Sequence, residues 1–385
     1  MKRKVLFINA EGLPFGYSAS ANKIRLMGEI ISKSDFDVYS LHKRKGVNNR
    51  KYGYLKGIKF AFFCKNDSKN FFQHLFAILN AYIKEFFFVK KKSSKYEAKY
   101  ILVHYDWFPI FLYYWLFSKI FKIKIVVNIM EWHMAVPSKN LFVKINKYLF
   151  DTLSFKMVAG AIPISKFIDN KIYKENKKLP TFVLPAITNF DEINSIDAGN
   201  PSTEEYILYC GNLGYMQVIN FIVRSYSKIK NRKVKLMLVV NGKDHEFEVL
   251  SKVLYKYNVQ TDVIIKSNLS FQDLIATYKN GLALLIPLRK TAQDLARFPH
   301  KISEYTASKR PIITTRFGVV NNYFDDKNAY ISPKYSTIEY AKYIDDAIDN
   351  PQKSNSIGTK GYELGYRLFN STAYNKTLPN FFNNL

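Results

Sequence analysis

The stretch RFPHKISEYTASKRPIITT, Arg297 to Thr315, holds an α/β unit in miniature. A proline-led turn at Pro299 opens into a short helical segment carrying Glu304, and the β-branched run PIITT (Pro311–Thr315) closes it. Proline suits the first helical position, where its missing N–H costs nothing, and β-branched residues suit a pleated strand. With the helix starting at Pro299, the amides of His300 and Lys301 lack intrahelical partners and lie at the positive end of the helix dipole. Lys301 and Glu304 are three residues apart and share a face. The pattern fits an anion beside the helix start with a carboxylate one turn deeper, able to accept hydrogen bonds from two vicinal hydroxyls. The same spacing also fits Glu304 paired with His300 or Lys301 on an exposed helix.

The alternation runs the length of the chain. KVLFIN (Lys4–Asn9), KYILVHY (Lys99–Tyr105), KIVVNIM (Lys124–Met130) and MVAGAIPIS (Met157–Ser165) read as strands, with helices expected near Ala19–Ser32 and over Phe167–Lys174. Beyond the polar, turn-rich NSIDAGNPST the pattern restarts with EYILYCG (Glu205–Gly211), VKLMLVV (Val234–Val240), DVIIK (Asp262–Lys266), LALLIPL (Leu282–Leu288) and PIITT. Helices are expected between these strands, from Gln217, near Asp244–Tyr257 and over Ser270–Lys279. Continuous apolar runs, rather than alternating ones, indicate strands buried on both faces of a parallel sheet. The fold class is therefore α/β, with two doubly wound domains. The expected boundaries are an N-terminal domain over 1–185, a linker over 186–204, a second domain over 205–365 and a tail over 366–385 that packs back toward the first. Pro379 argues against one unbroken helix in the tail. In such sheets ligands bind beyond the carboxyl ends of the strands, so a cleft between two facing sheets is the natural site.

The composition narrows the classes. A chain of 385 residues with 48% hydrophobic content fills two cores. Two cysteines, Cys64 and Cys210, exclude a disulfide framework or a thiolate metal site and suit a reducing compartment. The basic start MKRKVLFIN has too short an apolar run for a signal peptide. Phe71–Lys92 and Trp107–Val127 are nearly apolar enough to span a membrane, yet charges and Pro109 interrupt them. Phe71–Lys92 reads either as an amphipathic helix at an anionic lipid interface or as a core-facing helix with a basic end. A net charge of +27 favours anionic partners, although a Lys-, Asn- and Ile-rich coding bias produces the same excess. The aromatics lie in apolar runs and are not interleaved with Lys and Arg, which argues against a nucleic-acid binder.

Three further segments end strands. NAEGLPFGYSASANK (Asn9–Lys23) contains Gly12 and Gly16, without dinucleotide spacing, and is either an anion-holding loop or a plain connection. NIMEWHMAVP (Asn128–Pro137) places Glu131 and His133 just past a buried strand, where they can bind sugar hydroxyls or move a proton. YCGNLGYMQVINF (Tyr209–Phe221) brings Gly211 and Gly214 to a tight loop entering a helix. No Asp-x-Asp ends a strand to hold a metal, since FDD (Phe324–Asp326) lies in a polar loop.

Taken together these segments resemble the GT-B glycosyltransferases, specifically retaining family 4 members of bacterial surface-polysaccharide pathways. The resemblance covers nearly the whole chain and rests most on RFPHKISEYTASKRPIITT, with YCGNLGYMQ, MEWHM and GAIPIS in support. It implies two Rossmann-like domains facing across a cleft, and a sugar moved from a nucleotide-diphosphate sugar to a lipid-linked saccharide acceptor. It implies that Glu304 holds the ribose, that His300, Lys301 and Ile302 lie by the diphosphate, and that Gly211, Asn212 and Leu213 lie near the phosphates. Gly16 would approach the donor from the other domain, and Glu131 and His133 would be the catalytic pair. No cofactor or metal is implied. The expected place is the cytoplasm, at the inner face of the membrane.

The sequence departs from the family twice. A second glutamate usual eight positions before the first is Ala296, and a basic pair usual in the nucleotide loop is replaced by Asn212 and Gln217. Arg289, Lys290, Arg297 or Lys301 can supply the missing charge. The departures also fit a non-catalytic partner that keeps the fold and binds a nucleotide sugar. A nucleotide-sugar epimerase would need a carboxylate-rich cleft, which the sequence does not offer.

Overall fold

The computed structural model describes residues 4–9, 19–45, 51–64, 70–104, 107–199 and 204–385. The chain divides into two compact units, Met1–Ile187 with Ser371–Leu385, and Thr188–Asn370.

The first unit contains β1 (Lys4–Asn9), α1 (Ala19–Ser32), β2 (Phe36–Lys45), β3 (Tyr52–Leu55), β4 (Ile58–Cys64), α2 (Phe71–Ser93), β5 (Ala98–Val103) and α3 (Phe108–Phe121). It continues through β6 (Lys124–Ile129), α4 (Leu141–Leu153), β7 (Gly160–Pro163) and α5 (Lys166–Glu175). Its seven strands lie in the order β3-β4-β2-β1-β5-β6-β7. All neighbours are parallel except β3 and β4. The apolar run Val5–Ile8 is fully buried, as a central parallel strand requires.

The second unit contains α6 (Phe190–Ser195), β8 (Tyr206–Asn212), α7 (Met216–Tyr226), β9 (Lys235–Asn241), α8 (Asp244–Lys256), β10 (Val263–Lys266), α9 (Phe271–Asn280) and β11 (Ala283–Ile286). It continues through α10 (Ala292–Ala296), α11 (Lys301–Ala307), β12 (Ile312–Thr315), α12 (Val320–Tyr323), β13 (Tyr330–Ser332), α13 (Thr337–Asp349) and α14 (Pro351–Leu368). Its six strands are all parallel, in the order β10-β9-β8-β11-β12-β13. Each unit is thus a Rossmann-like doubly wound sheet, as the alternating pattern predicts. The last helix, α15 (Thr377–Asn383), follows Ser371 and belongs to the first unit, where Leu378 and Phe382 are fully buried. Pro379 sits in its first turn, where a missing N–H breaks no helical bond.

Several elements go beyond the sequence reading. The stretch 188–199, expected within a linker, carries α6 and lies in the second unit. The β3–β4 hairpin turns on Lys56 and Gly57, at φ 45° and 87°. Two successive positive φ values are the requirement of a type I′ turn, here met without the usual Asn-Gly. Pro299 does not open the helix as expected. It lies before the cap, its carbonyl accepts from Ile302 N at 3.0 Å, and α11 starts at Lys301.

Close approach by α14 fixes α11 in place. A Cβ on Gly358 would lie 2.5 Å from the Lys309 carbonyl oxygen, and one on Gly365 would lie 2.4 Å from Thr306 Oγ1. Only glycine lets the two helices meet this closely.

Candidate functional site in the C-terminal unit

The strand order reverses between β8 and β11, because the chain leaves β8 toward β9 and β10 and then returns to the other side of β8. The loops after these two strands therefore part in opposite directions, opening a crevice at the strands' carboxyl ends. In a parallel sheet the connecting helices start at that same edge, which brings the start of α11 there too.

The loop after β8 is built by short-range demands. Gly211 lies against the Tyr209 ring, where an added Cβ would come within 2.4 Å of the hydroxyl. Asn212 caps the turn by accepting from Gly214 N at 2.8 Å. Leu213 is buried and packs in the core with Val218 and Ile222. Gly211 and Asn212 thus shape the loop, and Leu213 anchors it.

The loop after β11 is organised by Asp294, a residue to which the sequence reading gave no role. Asp294 is 0% exposed and accepts from Arg289 N at 2.8 Å, Arg289 Nε at 2.9 Å, Arg289 Nη2 at 3.0 Å and Arg297 Nη2 at 2.8 Å. Burial alone would raise its pKa, but the two guanidiniums outweigh that and hold the carboxyl below its ordinary value. The hydrogen bonds to Asp294 raise Arg289 in turn. Arg289 also donates from Nη1 to Gln217 Oε1 at 3.0 Å, so a cation from the β11 loop reaches the start of α7. Arg297 stacks 4.8 Å over the Tyr215 ring, and its Nε–H is buried with no hydrogen-bond partner among the described residues. The only early signal of this network was the spacing of Arg289, Asp294 and Arg297 in one short loop. Ala296 is buried, so the carboxylate of this loop is Asp294, directed at its own arginines.

Glu304 lies on α11 and is 8% exposed. Its Oε2 accepts from Lys301 Nζ at 3.0 Å and lies 3.5 Å from the Tyr278 hydroxyl, while Oε1 makes no hydrogen bond to any described residue. The expected Lys301 pairing is real, but the pair sits in a nearly closed setting. Burial pulls the Lys301 ammonium down, and Glu304 more than reverses this, so Lys301 is raised and stays charged. Burial also pushes the Tyr278 and Tyr305 hydroxyls well above their ordinary range and raises the Cys210 thiol. The tyrosines are neutral donors, and Cys210 N–H donates to the Tyr305 hydroxyl at 2.9 Å, tying β8 to α11. The Ile302 amide is bonded to Pro299 and its side chain is buried, whereas His300 forms the N-cap.

The structure therefore gathers Gly211, Asn212, Arg289, His300, Lys301 and Glu304 at one edge of one sheet. It joins Arg297 and Gln217 to them and adds Asp294 and Tyr278. Among the described residues no cluster of three or more His, Cys, Asp or Glu residues is placed to hold a metal ion.

Glu131 and His133 belong to the other unit, just past β6. His133 Nδ1 lies 2.6 Å from Asp151 Oδ1, and the other oxygen of Asp151 accepts from Met134 N at 2.8 Å. Asp151, fully buried on α4, fixes the imidazole through Nδ1. The edge of His133 meets Phe150 at 5.1 Å, and Trp132 is buried against Phe155. Glu131 is half-buried and makes no hydrogen bond to a described residue. Gly16 lies outside the described residues.

Known structures share this build of two Rossmann-like units in one chain. Sucrose-phosphate synthase from Thermosynechococcus elongatus matches with a TM-score of 0.79 at 15% identity, covering 100% of this chain and 99% of that one. The Anabaena protein HepE in complex with UDP-glucose matches at 0.71 and 13% identity, over 99% and 100%. A glycosyltransferase from Rickettsia africae matches at 0.69 and 16% identity, over 100% and 98%. These likenesses show the fold. Residues 191–364, all within the C-terminal unit, match the family described as glycosyl transferases group 1. No curated protein sequence matches the chain significantly.

Proposed function

We propose that this protein is a retaining glycosyltransferase, independent of metal, that moves a sugar from a nucleoside-diphosphate sugar to a lipid-linked saccharide during surface-polysaccharide synthesis. The observation that carries the reading is Glu304, buried, anchored through Oε2 by Lys301, and with Oε1 unclaimed by any described residue. A carboxylate held this way accepts from a ribose hydroxyl at little entropic cost, because its rotamer is already fixed. The match of residues 191–364 and the nucleotide named in the HepE complex support the same donor class.

The reaction needs positive charge where the diphosphate departs. Arg289, Arg297 and Lys301 supply it, and the first two are preset by Asp294, so little reorganisation accompanies charge development. The Nε–H of Arg297, without a partner among the described residues, is the kind of buried donor that a phosphate oxygen satisfies. In a retaining transfer a departing diphosphate oxygen can take the acceptor's proton. His133, oriented by Asp151, and Glu131 are assigned to the acceptor hydroxyl. The exposed apolar stripe and basic end of α2 support a lipid-linked acceptor and peripheral membrane contact.

A second reading, a nucleotide-sugar-binding partner without turnover, is favoured by buried Ala296 in place of the expected donor-facing glutamate. Calorimetric titration with UDP, GDP and their sugars, on wild type and Glu304→Ala, tests donor binding. Losing this charged acceptor should weaken binding by about 1.5–3 kcal/mol, or roughly ten- to hundredfold. Equal binding by both proteins removes the ribose role. Binding without transfer or donor hydrolysis selects the second reading.

A further inference from the structure

Helix α2 exposes Phe72, Phe76, Leu79, Ile83 and Phe87, spaced by four, three, four and four residues, and Phe72 and Phe76 are 80% and 71% exposed. At 3.6 residues per turn these form one stripe. Exposed apolar area this contiguous marks an interaction surface. Phe87 belongs also to a groove of about 900 Å³ between α2 and the β3–β4 hairpin. The floor of the groove is aromatic, with Phe60, Phe63 and Phe88, and no carboxylate lines it among the described residues.

Its rim is cationic. Lys59 pairs with Asp37, and Lys92 lies over the Tyr39 and Phe88 rings. Lys51, Lys84 and Lys91 make no ion pair with any described residue, yet all three line the groove. An apolar floor under unneutralised ammonium groups fits a ligand with a phosphate head and an apolar body. The stripe that continues from Phe87 along α2 shows where that body comes from, since a free phosphate needs no such surface. No helix among the described residues is long and apolar enough to cross a membrane, so α2 fits the lipid interface plane.

We propose that the groove seats one anionic glycerophospholipid of a bilayer surface. Its phosphate lies against Lys51, Lys84 and Lys91, and its chains leave past Phe87 along the stripe of α2. This gives the membrane contact of the proposed function a defined partner and rests on that reading for its role.

The test is vesicle flotation with phosphatidylcholine alone and with phosphatidylcholine containing one part in three phosphatidylglycerol. Each lysine held near the membrane surface contributes about fivefold to partitioning onto anionic lipid. The triple variant Lys51→Gln/Lys84→Gln/Lys91→Gln should therefore lose at least tenfold in binding to the anionic vesicles. A matched variant outside the groove, Lys156→Gln/Lys177→Gln/Lys178→Gln, should lose less than twofold. Equal losses in the two variants, no preference for phosphatidylglycerol, or displacement from vesicles by inorganic phosphate would each overturn the proposal. Nucleotide titration of the groove variant separates the two readings. Donor binding that persists when flotation fails leaves the transferase reading standing, and flotation that persists in a protein with no donor binding leaves the lipid site standing.

Discussion

Replacing Asp294 should be among the most damaging single changes in the C-terminal unit. The carboxylate is fully buried and receives four hydrogen bonds, three from Arg289 and one from Arg297. Removing one partner of a buried ion pair costs about 3–5 kcal/mol, since uncompensated charge stays behind. Both guanidiniums are slightly exposed and can turn partly toward water, which favours the lower end. The Arg289 backbone N–H cannot turn and is left without a partner, which keeps the cost from falling below that range. About 3–4 kcal/mol is therefore expected for Asp294→Ala. For a unit of this size each kcal/mol lowers the melting temperature by about 2–4 °C, so the variant should melt roughly 6–16 °C below wild type. Asp294→Asn keeps one acceptor and should fall between the two.

The pH dependence gives an independent check on the same residue. The folded carboxyl is held below its ordinary 3.8 by Arg289 and Arg297, against the opposing effect of burial. A depressed carboxyl stabilises the fold fully above the unfolded value, and that contribution is lost as pH falls through the folded one. The melting gap between wild type and Asp294→Asn should thus be constant near neutrality and close progressively below about pH 4. Thermal melts followed by circular dichroism at neutral and acid pH measure both effects. A melting temperature for Asp294→Ala within 2 °C of wild type, or a gap that stays open in acid, would refute the assignment of Asp294 as the organiser of this loop.

Three other residues make separate predictions. Lys23 is fully buried, donates to the Leu184 carbonyl at 2.8 Å, and is pushed down by burial to about 7 from 10.5. Between those values the unfolded chain binds a proton that the native protein lacks. Stability should therefore rise with pH by a few kcal/mol across about pH 7 to 10.5, and Lys23→Met should flatten the rise; an unchanged slope in melts across this range would count against it. Asp151→Ala should cost about 1–3 kcal/mol by stranding His133 Nδ1 and the Met134 amide. It should also lower transfer at least tenfold while leaving calorimetric nucleotide affinity unchanged, so that a loss of both would indicate general damage. Gly211→Ala places a methyl within 2.4 Å of the Tyr209 hydroxyl and should destabilise by about 1–3 kcal/mol in denaturant titration. An alanine variant as stable as wild type would mean that Tyr209 can move aside.

Most strands whose apolar runs are continuous were legible, because burial on both faces leaves no room for polar residues. Val5–Ile8, Tyr206–Cys210 and Leu236–Val240 are all buried, and each falls within a predicted strand. β2, β3, β4 and β13 were not legible, β4 despite its buried apolar run Phe60–Phe63. β2 ends in His42-Lys43-Arg44-Lys45, β3 alternates exposed and half-buried residues at a sheet edge, and β13 is three residues long. Their strand identity comes from pairing with a neighbour, which local composition does not encode. The position of α11 was readable to within two residues. Pro299 misled the boundary because its carbonyl opens a turn before the helix begins.

The cations of the candidate site show why a departure from a family pattern can mislead when it is read position by position. Asn212 and Gln217 stand where a basic pair is usual, and neither carries charge. In the fold Arg289 crosses 72 residues of sequence to hydrogen-bond Gln217 at 3.0 Å, while Arg297 stacks on Tyr215 two residues earlier. The β8 loop thus borrows its positive charge from the β11 loop, and Asp294 sets the geometry of the loan. What makes this possible is the topological switch, since β8 and β11 are adjacent strands although far apart in the chain. Electrostatic stabilisation depends on where charge sits in space and how firmly it is held. A buried carboxylate gripping two arginines holds them more firmly than a pair of solvent-facing lysines in the loop itself would be held. The lost basic pair therefore does not by itself imply a lost reaction, and the residue whose removal would expose the dependence is Asp294.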